Sequence, residues 1–149
     1  MEEGLNKPGM LSQIHTEFGV EGADIRTFSP LTLAYIGDAV FEIIIRTLIV
    51  EQGQRPAQTL HSHTTKIVCA DTQAKMIEAV YDTLTEKEQE IYRRGKNTKI
   101  NSSAKNASLA SYRKATGFEA LCGYLFLQDD TERVMQIVKQ AMEAAQIVL

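Results

Sequence analysis

The most constraining stretch of this 149-residue chain is 31–50, a nearly continuous apolar run whose only charges are Asp38, Glu42 and Arg46. About 20 residues are enough to cross a bilayer, but each charge at the centre of a membrane helix costs roughly 2.5 to 3.5 kcal/mol. Three such charges exclude a membrane span. We expect instead a central helix of a soluble protein, buried almost all round.

The three charges are spaced four residues apart, so on a helix they form one stripe. This stripe either faces a cleft, a groove or a partner subunit, or it is a buried ion network. Gly37 lies next to Asp38, although glycine inside a helix costs about 1 kcal/mol relative to alanine. We therefore expect another part of the protein or a ligand to approach the backbone closely at Gly37.

The bulk properties indicate one cytoplasmic domain. A hydrophobic content of 44% is enough for a sizeable core in residues 29–149. Residues 1–28 contain several glycines and predict a flexible lead-in, without the basic start and apolar core of a secretory signal. Cys69 and Cys122 lie in apolar helical patterns without CxxC spacing, which predicts reduced thiols in the core.

Helix signals follow one another along the whole chain. Ser29 and Pro30 are an N-cap and first-turn pair, and Thr85 with Glu88 forms a capping box. The predicted helices run from Pro30 to near Gly53, from 57 to 81, from 86 to 94 with a stop at Gly95, from 107 to 128 with a break at 116–117, and onward from a cap at 129–132. No stretch alternates as a strand does, so we expect an all-α fold of five to seven helices.

Charge is unevenly distributed. The chain has a net charge of −3, yet the segment 91–118 contains seven basic residues and no acidic residue. Such a band is either a solvated basic face or the footprint of a nucleic-acid backbone, and its freedom from acids favours RNA. The candidate RNA-binding residues are Arg93, Arg94, Lys96, Asn97, Lys99, Lys105, Arg113 and Lys114.

A second lone carboxylate, Glu119, lies in the apolar segment 118–126. If Glu119 and Asp38 meet at the edge of the core, they form a site of hard oxygen ligands suited to Mg²⁺, which keeps several waters and takes one or two protein carboxylates. Such an ion activates water and offsets charge on a phosphodiester. Spacing and charge therefore suggest metal-dependent phosphodiester chemistry as a hypothesis.

Two motifs resemble a known family. Segment 34–42, Ala-Tyr-Ile-Gly-Asp-Ala-Val-Phe-Glu, resembles the signature helix of the ribonuclease III catalytic domain, and segment 118–123, Phe-Glu-Ala-Leu-Cys-Gly, resembles its second acidic motif. Segments 60–66, 93–97 and 112–119 are similar to the Mini-ribonuclease III subfamily. That subfamily carries the catalytic domain without a double-stranded-RNA-binding domain.

The resemblance implies an all-α homodimer that cleaves both strands of double-stranded RNA with Mg²⁺ and trims the paired ends of precursor 23S ribosomal RNA. Asp38 and Glu119 match catalytic, metal-binding acids of the two motifs. Two further acidic positions of the family are occupied by Ala34 and Thr116. Thr116 is a candidate supporting residue, and Glu42 either supports the site or pairs with Arg46.

Three functional readings remain open. The first is a double-strand-specific endoribonuclease, with the RNA presented either alone or by a ribosomal protein or an assembling ribosomal particle. The second is a catalytically weak or silent ribonuclease III-like module that binds structured RNA as a scaffold, which Ala34 and Thr116 favour. The third is a helical interaction protein in which residues 31–50 are only a dimer core.

Overall fold

The computed structural model describes residues 7–99 and 108–149, and these contain α-helices and two short 3₁₀ turns but no β-strand. The α-helices are α1 (Met10–Phe18), α2 (Pro30–Val50), α3 (Ala57–Val68), α4 (Ala70–Val80), α5 (Glu86–Lys96), α6 (Leu109–Leu127) and α7 (Thr131–Ala144). The 3₁₀ turns are Ile25–Thr27 and Tyr81–Thr83. The expected all-α fold of five to seven helices is confirmed.

Helix α2 is the centre of the fold and begins as its sequence predicts. The Ser29 hydroxyl accepts the backbone N–H of Thr32 at 3.2 Å, and Pro30 occupies the first turn. Its inner face is fully buried and packs against α6, where Phe41 meets Phe118 edge-on at 5.3 Å between ring centroids.

The opposite face of α2 is not buried, which corrects the expectation of a helix enclosed almost all round. Tyr35 is 83% exposed, and Leu31, Ile43 and Val50 are exposed with it. The sequence could not reveal this face, because apolar residues on an exposed helix face cannot be distinguished by composition from apolar residues of a core. The described residues contain no helix with the length and apolarity that crossing a membrane requires.

The region 57–81, predicted as one helix, is divided at Cys69, whose backbone is extended. Two side chains donate hydrogen bonds to the backbone carbonyls at the end of α3. The Thr72 hydroxyl donates to the Lys66 carbonyl at 2.9 Å, and the Gln73 amide donates to the Val68 carbonyl at 2.8 Å. Cys69 is therefore exposed, so only Cys122 is the buried thiol that the sequence predicted; both are free.

The capping box of α5 is confirmed, but Gly95 does not stop the helix. The Thr85 hydroxyl and the Glu88 carboxylate each accept the other residue's backbone N–H, at 3.1 and 2.9 Å. The helix continues to Lys96, and Gly95 is buried within it. A Cβ on Gly95 would lie 2.9 Å from the Cα of Gly117, so this glycine serves helix packing rather than helix termination.

Helix α6 is also continuous through Thr116 and Gly117, where the sequence predicted a break. Gly117 allows the α5 backbone to come close, since a Cβ there would lie 2.6 Å from the Tyr92 carbonyl oxygen. The cap before the last helix is confirmed, because the Asp130 carboxylate accepts the Arg133 backbone N–H at 3.2 Å. The predicted start of α6 near residue 107 lies outside the described residues.

The predicted lead-in contains a helix that the sequence did not indicate. Helix α1 runs from Met10 to Phe18 and ends at Gly19, whose φ of 61° is in the left-handed region. The 3₁₀ turn after it places Ile25 and Phe28 against a small apolar cluster that includes Leu33. The segment that leads into α2 is thus packed against the domain.

Candidate active site

The site is built where α2 crosses α6 at backbone contact. A Cβ on Gly37 would lie 1.6 Å from the Glu119 carbonyl oxygen, and a Cβ on Gly123 would lie 1.9 Å from the Leu33 carbonyl oxygen. Only glycine fits at either position, so the close approach expected at Gly37 is confirmed and α6 is the element that approaches. Because Asp38 follows Gly37, the crossing brings Asp38 beside Glu119.

The two carboxylates differ in their surroundings. Asp38 is exposed, whereas Glu119 is partly buried. Burial raises the pKa of Glu119 to about 8, and a hydrogen bond and charge repulsion from the nearby Asp38 carboxylate add to the rise. The two acids therefore share one site, and no ion pair in the part of the chain that the structure describes joins a basic side chain to either of them.

The carboxylates open into a cleft of about 440 Å³ between α2 and α6. The cleft brings together all four predicted catalytic and supporting residues, and its lining also includes Ala34, Tyr35 and Tyr112. The predicted residues are Asp38, Glu42, Thr116 and Glu119. Ala34 and Thr116 thus face the same space as the two acids.

Glu42 and Thr116 are already engaged in contacts of their own. Arg46 donates to Glu42 at 3.1 Å, which is the pairing that the sequence offered as one alternative. The Thr116 hydroxyl donates to the Tyr112 carbonyl at 3.0 Å and is buried. Its proton is therefore committed, and its lone pairs are the part that can accept a hydrogen bond from a water molecule in the cleft.

Gln73 contacts the site, and sequence reasoning missed it. Its side-chain amide lies on α4 and donates to Glu119 Oε2 at 3.4 Å, across 46 positions of sequence. A signal was present, because Gln73 occupies a position that shares a helix face with Ala70 and Ile77 in an otherwise apolar stripe. A polar side chain at a buried position of this kind points to a specific contact.

The donor set fits a hard cation that keeps most of its waters. The described residues hold no group of three or more His, Cys, Asp or Glu side chains arranged to bind a metal ion, so this is not an enclosing protein cage. Two carboxylates beside an open cleft match the way Mg²⁺ is bound, through one or two protein oxygens plus water and substrate phosphate. Burial and then the neighbouring Asp38 raise the pKa of Glu119, and a cation in the cleft would relieve the repulsion between the two acids.

The predicted RNA-binding residues lie on α5, on α6 and after α5, with Lys105 outside the described residues. Several of them make contacts within the protein. Arg93 donates to the Tyr81 hydroxyl at 2.8 Å, Lys96 lies over the Tyr92 ring at 5.8 Å, and Lys114 pairs with Glu78. The remaining described candidates are Arg94, Asn97, Lys99 and Arg113, all exposed.

The sequence is similar to proteins of a known family. The ribonuclease III domain matches residues 31–130. Proteins named Mini-ribonuclease 3 are 45% identical over 80% of this chain and 84% of their own in Thermoanaerobacter, and 47% identical over 78% of each chain in Clostridium tetani. The chain belongs to the ribonuclease III family.

The fold comparison agrees with this assignment. A crystal structure of a Fusobacterium nucleatum protein superimposes with a TM-score of 0.74 at 29% identity, covering 80% of this chain and 92% of that one. Members of the ribonuclease III family are endoribonucleases, and this chain is one of them. The signature helix of the family corresponds here to α2, and the cleft beside it is the candidate active site.

Proposed function

We propose that this endoribonuclease cleaves double-stranded RNA in a Mg²⁺-dependent reaction at the cleft between α2 and α6. The observation that carries the proposal is the pairing of Asp38 with Glu119, two carboxylates that come from separate helices and share one site. Within residues 7–99 and 108–149, no ion pair joins a basic side chain to either of them. Clustered, uncompensated acids of this kind lower stability, and they are retained where they perform chemistry.

The residues of the chain have distinct roles in this proposal. Asp38 and Glu119 bind the cation through their carboxylate oxygens. Thr116 Oγ1 accepts a hydrogen bond from water at the cleft wall, and Glu42, held by Arg46, supports the negative edge of the site. When bound, Mg²⁺ supplies Lewis-acid stabilisation of the phosphodiester and lowers the pKa of water for attack.

A cleavage assay on a long RNA duplex tests the site. Relative to the native protein, Asp38→Asn and Glu119→Gln should each lower the cleavage rate by at least about 100-fold, since each removes a direct ligand of the ion. The control is Asp71→Asn, an exposed acid in the first turn of α4. Variants that cut as well as the native chain would refute the assignment of Asp38 and Glu119.

The same assay separates the catalytic reading from the scaffold reading. The cleft contains Ala34 and Thr116 at positions where the family has acids, which favours a silent RNA-binding module as the second candidate. A native protein that binds the duplex but leaves it intact with Mg²⁺ present would establish the scaffold. Cleavage by the native protein, lost in both variants, would exclude it.

We propose that the basic band on α5 and α6 holds the RNA backbone. A-form RNA is recognised mainly by shape, phosphates and 2′-hydroxyls, so exposed basic side chains suffice for firm binding with little sequence preference. Arg94→Gln should reduce the slope of log affinity against log salt by about 1. Lys114→Gln should change it less, because Lys114 already pairs with Glu78. An unchanged slope in Arg94→Gln would contradict the proposal.

We further propose that the protein is a homodimer joined through the exposed face of α2. Tyr35 is 83% exposed, lines the cleft and lies one turn from Asp38, and the apolar side chains of Leu31, Ile43 and Val50 extend the same helix surface. An isologous contact would bury this surface. Tyr35→Glu should convert the protein to a monomer in sedimentation at micromolar concentration, and a variant that stays dimeric would refute this interface.

The biological substrate that we propose is the paired ends of precursor 23S ribosomal RNA in the cytoplasm, presented alone or by a ribosomal protein or assembling particle. This substrate is what the resemblance of segments 34–42 and 118–123 to the Mini-ribonuclease III subfamily implies. Incubation with the isolated terminal duplex of the precursor, followed by mapping of the ends, tests it. Random cuts along the duplex, unchanged by addition of ribosomal proteins, would argue against a ribosomal substrate.

A further inference from the structure

Gln73 is buried at the junction of three helices. It is 2% exposed and lies on α4, and within the described residues its side chain forms hydrogen bonds through the nitrogen Nε2 alone. Nε2 donates to the Val68 carbonyl at 2.8 Å, at the end of α3, and to Glu119 Oε2 at 3.4 Å, on α6. One amide therefore joins the bend at Cys69 to the carboxylate of the candidate active site.

The orientation of this amide is fixed by its partners. Both atoms near Nε2 are acceptors, a carbonyl oxygen and a carboxylate oxygen, so exchange of the amide oxygen and nitrogen would place oxygen against two oxygens. Each of the two N–H bonds therefore has its own acceptor. The contact to Glu119 is made by a nitrogen whose position the helix end already determines.

The other end of the amide shows that Gln73 is not a space filler. Its Oε1 is buried and finds no hydrogen-bond partner among the described residues. A buried acceptor left in this state costs about 1 to 3 kcal/mol, whereas methionine or leucine would fill the same space without that loss. The amide is therefore present for its N–H bonds, of which one reaches the cleft.

We propose that Gln73 is a positioning residue that holds the Glu119 carboxylate in place beside Asp38, where the two acids would bind a divalent cation. This inference rests on the proposed function, since it assigns Gln73 a task at that site. It acts through Glu119 rather than on substrate, in the manner of the outer residues that orient metal ligands in other proteins. Because Nε2 is also bound to Val68, the orientation of Glu119 is set by the α3–α4 bend.

Binding of Mn²⁺, as a calorimetric probe of the site without RNA, provides the test. Gln73→Met keeps the length of the side chain and removes both N–H bonds, and we expect it to weaken Mn²⁺ binding by about 10-fold. In a Glu119→Gln background the same change should have no further effect. Excess Mg²⁺ should restore cleavage by Gln73→Met. Thr64→Val is the matched control, a buried hydroxyl on α3 whose partner is the Leu60 carbonyl.

A purely structural role would give a different set of results. It predicts a lower melting temperature for Gln73→Met with native Mn²⁺ affinity, or an equal loss of affinity with and without Glu119, and either result overturns the proposal. The side-chain amide ¹⁵N–H resonances of Gln73 add a metal-free measurement, since they should shift in Glu119→Gln and not in Thr64→Val. Failure of the proposed function is distinct, because the native protein would then neither bind Mn²⁺ nor cut RNA.

Discussion

Two of the carboxylates in the described residues, Glu88 and Glu119, lie at least partly buried against another helix, and their neighbours are opposite in charge. Glu88 on α5 is 6% exposed and is held by Arg133 of α7 through two hydrogen bonds of 2.7 and 2.8 Å. Arg133 keeps the pKa of Glu88 below its usual range. Glu119 on α6 faces Asp38 instead, and its pKa is raised to about 8 by burial and by that acid.

The difference distinguishes an acid held in a structural ion pair from the acid that we propose as functional. A buried carboxylate that joins two helices is neutralised by a bidentate arginine, so this chain has the means to compensate such a charge. Among the described residues, no ion pair gives Asp38 or Glu119 such compensation, although the two acids meet in the cleft. Local arrangements that lower stability without compensation are expected at functional sites, so the contrast with Glu88 supports the proposal that the α2–α6 cleft is the active site.

The largest expected effect on stability concerns Gly37, where the backbones of α2 and α6 are in contact. Gly37→Ala should destabilise the fold by more than about 3 kcal/mol, because its Cβ would lie 1.6 Å from a backbone oxygen of α6, although alanine gains about 1 kcal/mol in helix propensity. Gly95→Ala is the matched control, with contacts of 2.9 Å, and should lose less. Urea unfolding measures both. Equal stabilities for the two variants would show that the tighter α2–α6 contact at Gly37 admits a Cβ at no greater cost than the contact at Gly95.

A smaller effect is expected at the ion pair. Arg133→Met leaves Glu88 without its partner and should lower the free energy of unfolding by about 2 kcal/mol, less than for a fully buried pair because the arginine side chain is 22% exposed. Asp38→Asn should leave stability unchanged or raise it, since it removes repulsion. Arg133→Met should thus lower the urea midpoint, whereas Asp38→Asn should leave it unchanged or raise it. Equal losses of unfolding free energy in the two variants would contradict the proposed difference between Glu88 and Glu119.

The sequence predicted features whose cause is local. Ser29 with Pro30, the capping box at Thr85 and the cap at Asp130 all form within four residues, so the pattern carries the whole mechanism. Asp38 and Glu119 were recognisable because a lone acid in an apolar helix has few structural uses. The structure places the two residues side by side in one cleft, as the sequence predicted.

Features that depend on distant packing were beyond such reasoning. Gly95 and Gly117 look like helix breaks in the sequence, yet they are glycines because α5 and α6 touch there. Gln73 gained its role only when α4 met α6, which no spacing along the chain records. The break at Cys69 depends on the Thr72 hydroxyl and the same Gln73 amide, which replace helical hydrogen bonds.

The smallest effect, and the one that compares the two acids directly, is the pH dependence of stability in EDTA. The folded-state pKa of Glu88 is lowered, so its contribution is present above about pH 4.5 and is lost as pH falls through the folded-state value. The folded-state pKa of Glu119 is raised, so its contribution is present below about pH 4.5 and is lost as pH rises towards 8.

Glu119→Gln and Arg133→Met should therefore each reduce the pH dependence of stability, the first above and the second below about pH 4.5. Glu119→Gln should flatten the decline in urea midpoint between about pH 5 and 8, and Arg133→Met should flatten the decline on the acid side. We expect about 1 kcal/mol for the first, because the open cleft lets water screen the Glu119 charge. If native protein and Glu119→Gln decline in parallel up to pH 8, then Glu119 ionises normally in the folded protein and the cleft does not confine its charge as the structure implies.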